Sequence, residues 1–258
     1  GKTIEAGLIL RELQARSNIQ SVLVICPRPL VTERKWEIEM RRFDERFIPL
    51  DGPLLRRCIN ETDLEGRWPI QYQKAILPYS LLTEELLYGQ PGSRNRRSRK
   101  GLVDLDPPPR FDLVIVDEAH HIRNPETYSH QAVSFFCEHA EAAIFLTATP
   151  IQLGSQDLYT LLRVLRPDLV IDWESYRYMA EPNPYINEAV SHVRAGGPTW
   201  NREADAALQN AAETAWGRSV LCRNPEFKRV RHKLQSGSIS NEERIRLIRQ
   251  IEDLHTFS

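Results

Sequence analysis

The sequence has little that would staple, anchor or charge it. Its four cysteines, Cys26, Cys58, Cys137 and Cys222, lie far apart, with no C-x-x-C pair and no zinc-ligand spacing. A disulfide scaffold and a zinc module are therefore excluded, and the thiols read as reduced and mostly buried, in a cytosolic protein. No apolar run approaches the ~18 residues that a membrane-spanning helix needs. Charge of one sign is missing as well: 34 Lys+Arg stand against 35 Asp+Glu, a formal net charge of −1. Bulk charge cannot drive nucleic-acid binding, so any such contact must come from local basic patches. There is no internal repeat, no initiator Met and no signal-peptide pattern; the abrupt Gly1-Lys2-Thr3-Ile4 opening reads as a chain cut from something longer.

What remains is the composition of a globular protein, 41% hydrophobic and 27% charged over 258 residues. At about 150 residues per domain, that length is one full domain and part of a second. Ser21 to Cys26, Asp112 to Asp117 and Ala142 to Thr147 are continuous apolar runs, expected as strands buried on both faces, and Lys74 to Pro78 is a weaker fourth. Helical spacing covers Lys2–Arg16, Leu30–Phe43, Leu81–Tyr88, the stretch around Tyr128–Glu138, and Leu158–Leu165. Strands alternating with helices predict an α/β fold with a parallel sheet covered on both faces. After about Pro167 the apolar runs stop and helical windows rich in Glu, Arg and Ala take over, so we place domains at 1–167 and 168–258, the second all-helical. The Arg-rich stretch Ser93 to Gly101 and Pro107-Pro108-Pro109 are expected as an irregular, mobile surface loop.

Three clusters fall where such a sheet keeps its ligands, at strand carboxyl ends. Gly1-Lys2-Thr3 opens a helix, and helix N-termini offer unpaired N–H groups and a positive dipole end to phosphates. A lysine there adds a point charge for the β/γ-phosphates, and a neighbouring hydroxyl can ligate Mg2+. Asp117-Glu118-Ala119-His120 follows a strand directly: one carboxylate can hold the Mg2+ shell while the next activates water. The same pair also fits an N-cap followed by an acidic first turn. Leu146-Thr147-Ala148-Thr149-Pro150 places hydroxyls at a third strand end, although threonines there are also common turn material. The spacing of 115 residues from Lys2 to Asp117 and 30 from Asp117 to Thr147, in this order, favours a nucleotide site.

The set Gly1 to Gly7, Leu23-Val24-Ile25-Cys26-Pro27, Asp117 to His120 and Leu146 to Pro150 resembles motifs I, Ia, II and III of superfamily-two helicase-like ATPases. More narrowly it resembles the Swi/Snf-related double-stranded DNA translocases, above all the bacterial RapA (HepA) group, through Asp117 to Asn124 and Thr147 to Gly154. Trp36 and Glu39 match that family's L-x-x-x-W-x-x-E helix. The likeness is strong over the first ~170 residues and looser in the helices beyond.

The resemblance implies the first RecA-like lobe of a P-loop NTPase followed by a helical protrusion, with ATP and Mg2+ as cofactors. It assigns Gly1 and Lys2 to the phosphates and Thr3 and Asp117 to Mg2+, with Glu118 activating water. His120, Thr147 and Thr149 would couple nucleotide state to lobe closure. Pro27, Arg28 and Ser80 would face the DNA backbone. Double-stranded DNA is the expected partner, with RNA polymerase or another DNA-bound complex reached through other domains, in the cytoplasm and nucleoid of a bacterium or archaeon. The upstream glycines of the phosphate loop and the arginine fingers of a second lobe lie outside these 258 residues, so the chain by itself is expected to have negligible ATPase activity. Two other readings stay open: a DEAH-type strand-separating helicase, and a non-catalytic scaffold that binds a partner through its helices. The clusters Arg94 to Lys100 and Arg223, Lys228, Arg229, Arg231 and Lys233 are candidate phosphate contacts or simply solvated charge.

Overall fold

The computed structural model describes residues 1–92, 98–147, 155–170, 172–236 and 239–256. The chain divides into two compact units, Gly1–Leu169 and Val170–Ser258. In the first, the elements run α1 (Lys2–Arg16), β1 (Val22–Cys26), α2 (Arg28–Thr32), α3 (Lys35–Arg41), β2 (Ile48–Pro49) and α4 (Gly52–Glu65). They continue with β3 (Lys74–Pro78), α5 (Glu84–Tyr88), β4 (Phe111–Asp117), α6 (Tyr128–Glu138), β5 (Ala140–Leu146) and α7 (Ser155–Leu165).

The strands form one parallel five-stranded sheet in the order β2-β3-β1-β4-β5. Alternation along the central strands feeds two cores. Val22, Val24 and Cys26 of β1 join Leu113 and Ile115 of β4 beneath α1 and α3. Leu23, Ile25, Val114 and Val116 face the opposite layer, where Leu55 and Ile59 of α4 and Phe136 of α6 lie. The expected α/β sheet with helices on both faces is therefore present. All five residues of β1 are buried, as a strand between two parallel neighbours requires.

Four local expectations are corrected. The helix expected over Leu30–Phe43 is two helices, broken at Arg34, whose φ of 54° is left-handed. The break serves burial: α2 buries no residue, whereas α3 turns Trp36, Glu37 and Met40 inward. The Ala142–Thr147 run forms the edge strand β5 (Ala140–Leu146), with Leu146 its one buried residue. The helix expected over Leu81–Tyr88 starts only at Glu84, capped by Thr83, whose Oγ1 accepts from the Leu86 N–H at 3.3 Å. The expected surface loop is exposed from Ser98 to Lys100, but it is not wholly irregular over its described part: Gln90 and Arg99 form an antiparallel bridge, and Leu102 and Leu105, just beyond it, are core residues. Glycine is required there, because a Cβ on Gly101 would sit 2.1 Å from the Leu87 carbonyl oxygen. Arg94 to Arg97 lie outside the described residues.

The second unit is helical throughout its described residues: α8 (Trp173–Ala180), α9 (Asn183–Ala195), α10 (Trp200–Glu213), α11 (Ala215–Ser219), α12 (Pro225–Gln235) and α13 (Asn241–Glu252). Buried Ala189, Ala204, Ala207 and Ala211 let α9 and α10 pack closely, and Phe227, Leu234 and Ile251 complete one core. Gly196, at φ 66°, ends α9 as a left-handed cap.

Candidate active site

Parallel strands deliver their carboxyl ends to one edge of the sheet, and the register fixes which residues meet there. Cys26 pairs with Pro78, Ile25 with Val116, and Asp117 with Leu146. The residues that follow, Pro27, Tyr79, Glu118 and Thr147, therefore line one rim. The N-terminus of α1 reaches the same rim. Gly1 provides no side-chain cap to the helix; the Ile4 N–H turns back to the Gly1 carbonyl at 2.9 Å, and the Lys2 and Thr3 N–H groups lie at its positive end.

A cavity of about 230 Å³ is lined by Gly1, Lys2, Thr3, Pro27, Asp117 and Glu118, among others. Across it, Lys2 Nζ donates to Glu118 Oε1 at 2.7 Å, joining side chains 116 residues apart. Thr3 is buried beside them. Asp117 is only 3% exposed, and its oxygens are held by two donors: Trp36 Nε1–H to Oδ2 at 3.0 Å and the Glu118 N–H to Oδ1 at 2.9 Å. Glu118 itself has φ 50°, a left-handed conformation uncommon for a residue with a side chain. His120 Nδ1 lies 3.4 Å from Glu118 Oε2, and its ring stacks on His121 at 4.6 Å. Burial, and then the neighbouring His120, lower the pKa of His121 below the ordinary histidine value. Burial and the nearby Asp117 charge push the Cys26 thiol up to about 12, which suits packing and not nucleophilic attack.

The site residues read from the sequence thus separate into groups. Gly1, Lys2, Thr3, Asp117 and Glu118 share the cavity. His120 touches it through Glu118, and half-buried Thr147 follows the strand partner of Asp117. Thr149 lies outside the described residues. Pro27 lines the cavity, while Arg28 and Ser80 are exposed just beyond the ends of adjacent β1 and β3. Of the second basic cluster, Arg229 is tied to Glu226, Arg231 to Asp205 and Lys233 to Gln250, while Arg223 and Lys228 are exposed. The described end of the first basic run is engaged too, Arg99 with Glu85 and Lys100 with Asp63. Sequence reasoning missed Tyr79, whose hydroxyl donates to the Asp117 carbonyl at 3.0 Å, and the role of Trp36. It also missed Lys35 and Glu39 as parts of the cavity wall.

A model of the SNF2-related domain matches residues 1–195. The chain belongs to the SNF2-related domain family. Among curated SNF2-related proteins it is similar to the RNA polymerase-associated protein RapA of Yersinia enterocolitica, at 30% identity over 200 residues. That match covers 76% of this chain and 19% of RapA, so the chain spans about a fifth of the length of that relative. Solved SNF2 structures that it resembles are the Sulfolobus solfataricus SWI2/SNF2 ATPase core in complex with dsDNA and the same organism's SWI2/SNF2 ATPase core domain. The first gives a TM-score of 0.46 at 15% identity, over 91% of this chain and 57% of that one. The second gives 0.41 at 17% identity, over 95% and 48%.

Proposed function

We propose that the first unit is the ATP-binding lobe of a DNA-dependent ATPase that translocates on double-stranded DNA and remodels protein–DNA complexes, and that the second is its helical protrusion. The observation that carries this reading is the meeting of Lys2 and Glu118 at 2.7 Å, on one cavity with Thr3 and Asp117, in a chain of the SNF2-related family.

The donor set fits a magnesium nucleotide. Among the described residues no group of three His, Cys, Asp or Glu side chains is arranged to hold a metal. Magnesium asks for less, because it keeps several waters and takes one or two protein oxygens together with phosphate oxygens. Thr3 and Asp117 supply such oxygens, and a bound magnesium neutralises charge at the β- and γ-phosphates. The chain's own residues do the remaining work. The first turn of α1 binds phosphate through its N–H groups, and Lys2 exchanges Glu118 for the β/γ-phosphates. Glu118, released from that pair, orients a water and takes its proton. His120 and Thr147, with Thr149 on its sequence position alone, are our candidates for passing the loss of the γ-phosphate to neighbouring elements. Arg28 and Ser80, exposed on the same rim, are our candidates for the DNA backbone.

The test is ATP turnover by the full-length protein with and without duplex DNA, beside triplex displacement and strand separation. The reading expects turnover that duplex DNA stimulates, triplex displacement without unwinding, and loss of both in Lys2→Ala. Turnover unchanged in Lys2→Ala refutes it, and unwinding of a forked duplex would favour the strand-separating alternative. Because the similar protein RapA is named for its association with RNA polymerase, that enzyme is the first partner to assay by co-purification.

A further inference from the structure

Asp117 poses a problem that the nucleotide reading leaves unsolved. A carboxylate 3% exposed at the end of a buried strand must be satisfied by donors, or its charge is untenable. It must also keep a fixed direction if its remaining lone pairs are to meet a metal's hydration shell. Three donors converge on it. Trp36, fully buried on α3, donates its indole N–H to Oδ2 at 3.0 Å. The Glu118 N–H holds Oδ1 at 2.9 Å. Tyr79, at the end of β3, donates its hydroxyl to the Asp117 carbonyl oxygen at 3.0 Å and so fixes the main chain.

We infer that Trp36 and Tyr79 are positioning residues for the magnesium-binding carboxylate, acting as a clamp that fixes the side chain and the backbone of Asp117 before any ligand arrives. The inference rests on the nucleotide reading above and adds to it two residues, neither of which lines the cavity.

Packing alone does not explain the pair. A buried indole keeps its hydrophobic area in any orientation, yet this one aims its only polar atom at the buried carboxylate that ends β4. Arg34 adopts a left-handed conformation immediately before the helix that presents it. Tyr79 sits in the opposite core, so the two donors grip Asp117 from both faces of the sheet. A carboxylate has about four lone-pair sites, and two donors leave the others for water or metal. Without the clamp, Asp117 would turn toward whichever donor it could reach and lose its alignment.

The test is a magnesium titration of nucleotide binding by the full-length protein, read by a fluorescent ATP analogue, with parallel binding in excess chelator and thermal melts. Trp36→Phe and Tyr79→Phe each remove one donor and keep an aromatic ring. The magnesium concentration at half-saturation should rise about tenfold in each, with metal-free nucleotide affinity unchanged. Half-saturation equal to wild type in either folded variant overturns the clamp. Should Trp36→Phe not fold, Tyr79→Phe, which loses a single oxygen, decides alone. If the wild-type protein itself binds nucleotide with no magnesium dependence, the nucleotide reading fails and not merely the clamp.

Discussion

The Lys2–Glu118 pair makes a prediction whose sign is not obvious. In the structure the Lys2 ammonium is already occupied, with its Nζ 2.7 Å from Glu118 Oε1 and side chains 30% and 26% exposed. At an effective dielectric of ~20, that separation gives a gross attraction of about 6 kcal/mol. Desolvation, side-chain ordering and screening cancel most of it, since partly exposed pairs retain on the order of 1 kcal/mol. An incoming triphosphate must take Lys2 from Glu118, so this energy opposes nucleotide binding. Glu118→Gln keeps the shape and an acceptor oxygen but removes the charge. Nucleotide affinity should therefore rise by roughly 1 kcal/mol, about fivefold, while hydrolysis falls about 10²- to 10⁴-fold through loss of the base. The assay is equilibrium titration with a fluorescent nucleotide, beside phosphate release, at low salt and at roughly 0.5 M, where the gain should shrink because the Debye length is only a few ångströms. Lys2→Met should shift affinity the other way. Unchanged or weaker binding by Glu118→Gln would refute the account of Lys2 as a residue that exchanges partners.

Three further outcomes follow from packing and charge. In Gly7→Ala, the new Cβ would lie 2.3 Å from the Phe43 ring, forcing that ring aside. Overpacking of about 1–3 kcal/mol, less the ~1 kcal/mol helical advantage of Ala over Gly, should lower the melting temperature by about 2–4 °C; a stabilised variant would show that Phe43 yields freely. Burial would raise the pKa of Asp205, but hydrogen bonds from Arg231 and Gln235 outweigh it and hold the carboxyl below its ordinary value. That stability is present above the unfolded pKa of about 4 and is lost as pH falls through the lower folded value. Arg231→Met should cost about 2 kcal/mol near neutrality, and urea unfolding should show the difference narrowing below about pH 4; a gap independent of pH would contradict this. Cys26 and Cys58, both fully buried with thiols pushed up to about 12, should resist a maleimide at about pH 8 until the chain is unfolded, as mass spectrometry would show.

The parts of this fold that were legible in the sequence are those with a one-dimensional signature. Val22 to Cys26 is apolar throughout because its strand has neighbours on both sides and helices on both faces. Lys2 and Asp117 announced themselves by residue type at a helix start and a strand end. The edge strand β5 read like a central one, because Ala142, Ala143 and Ile144 are apolar whether or not a further strand covers them. The helix α4 went unread although Asp51, Pro53 and Gly66 mark its ends, because its buried residues Leu55, Cys58, Ile59 and Thr62 include a cysteine and a threonine that blur the apolar stripe. The clamp around Asp117 has no such signature. Trp36 lies 81 residues from its acceptor and Tyr79 lies 38, and no spacing rule links them. Only the strand order, which sets β1 between β3 and β4, brings those residues to one point.

That convergence gives two adjacent carboxylates opposite mechanical characters. Asp117 ends a central strand and is tied by an indole, a main-chain N–H and, through its carbonyl, a phenol, so it is set before any ligand arrives. Glu118, one residue later, has left the strand through a left-handed backbone conformation that costs a non-glycine residue roughly 1–2 kcal/mol. The turn is held by its own N–H bonding back to Asp117 Oδ1, so the clamped carboxylate also steers its neighbour. The Glu118 side chain thereby points across the cavity to Lys2, a cation that phosphates would reclaim. On the proposed reading, a site that holds a metal in one place and moves a proton in another needs both behaviours within about 4 Å of chain. Here the strained residue faces the lysine that phosphates would reclaim, and the relaxed one is the anchor. The backbone strain at Glu118 is therefore what turns two like charges, otherwise side by side on a strand, toward different tasks.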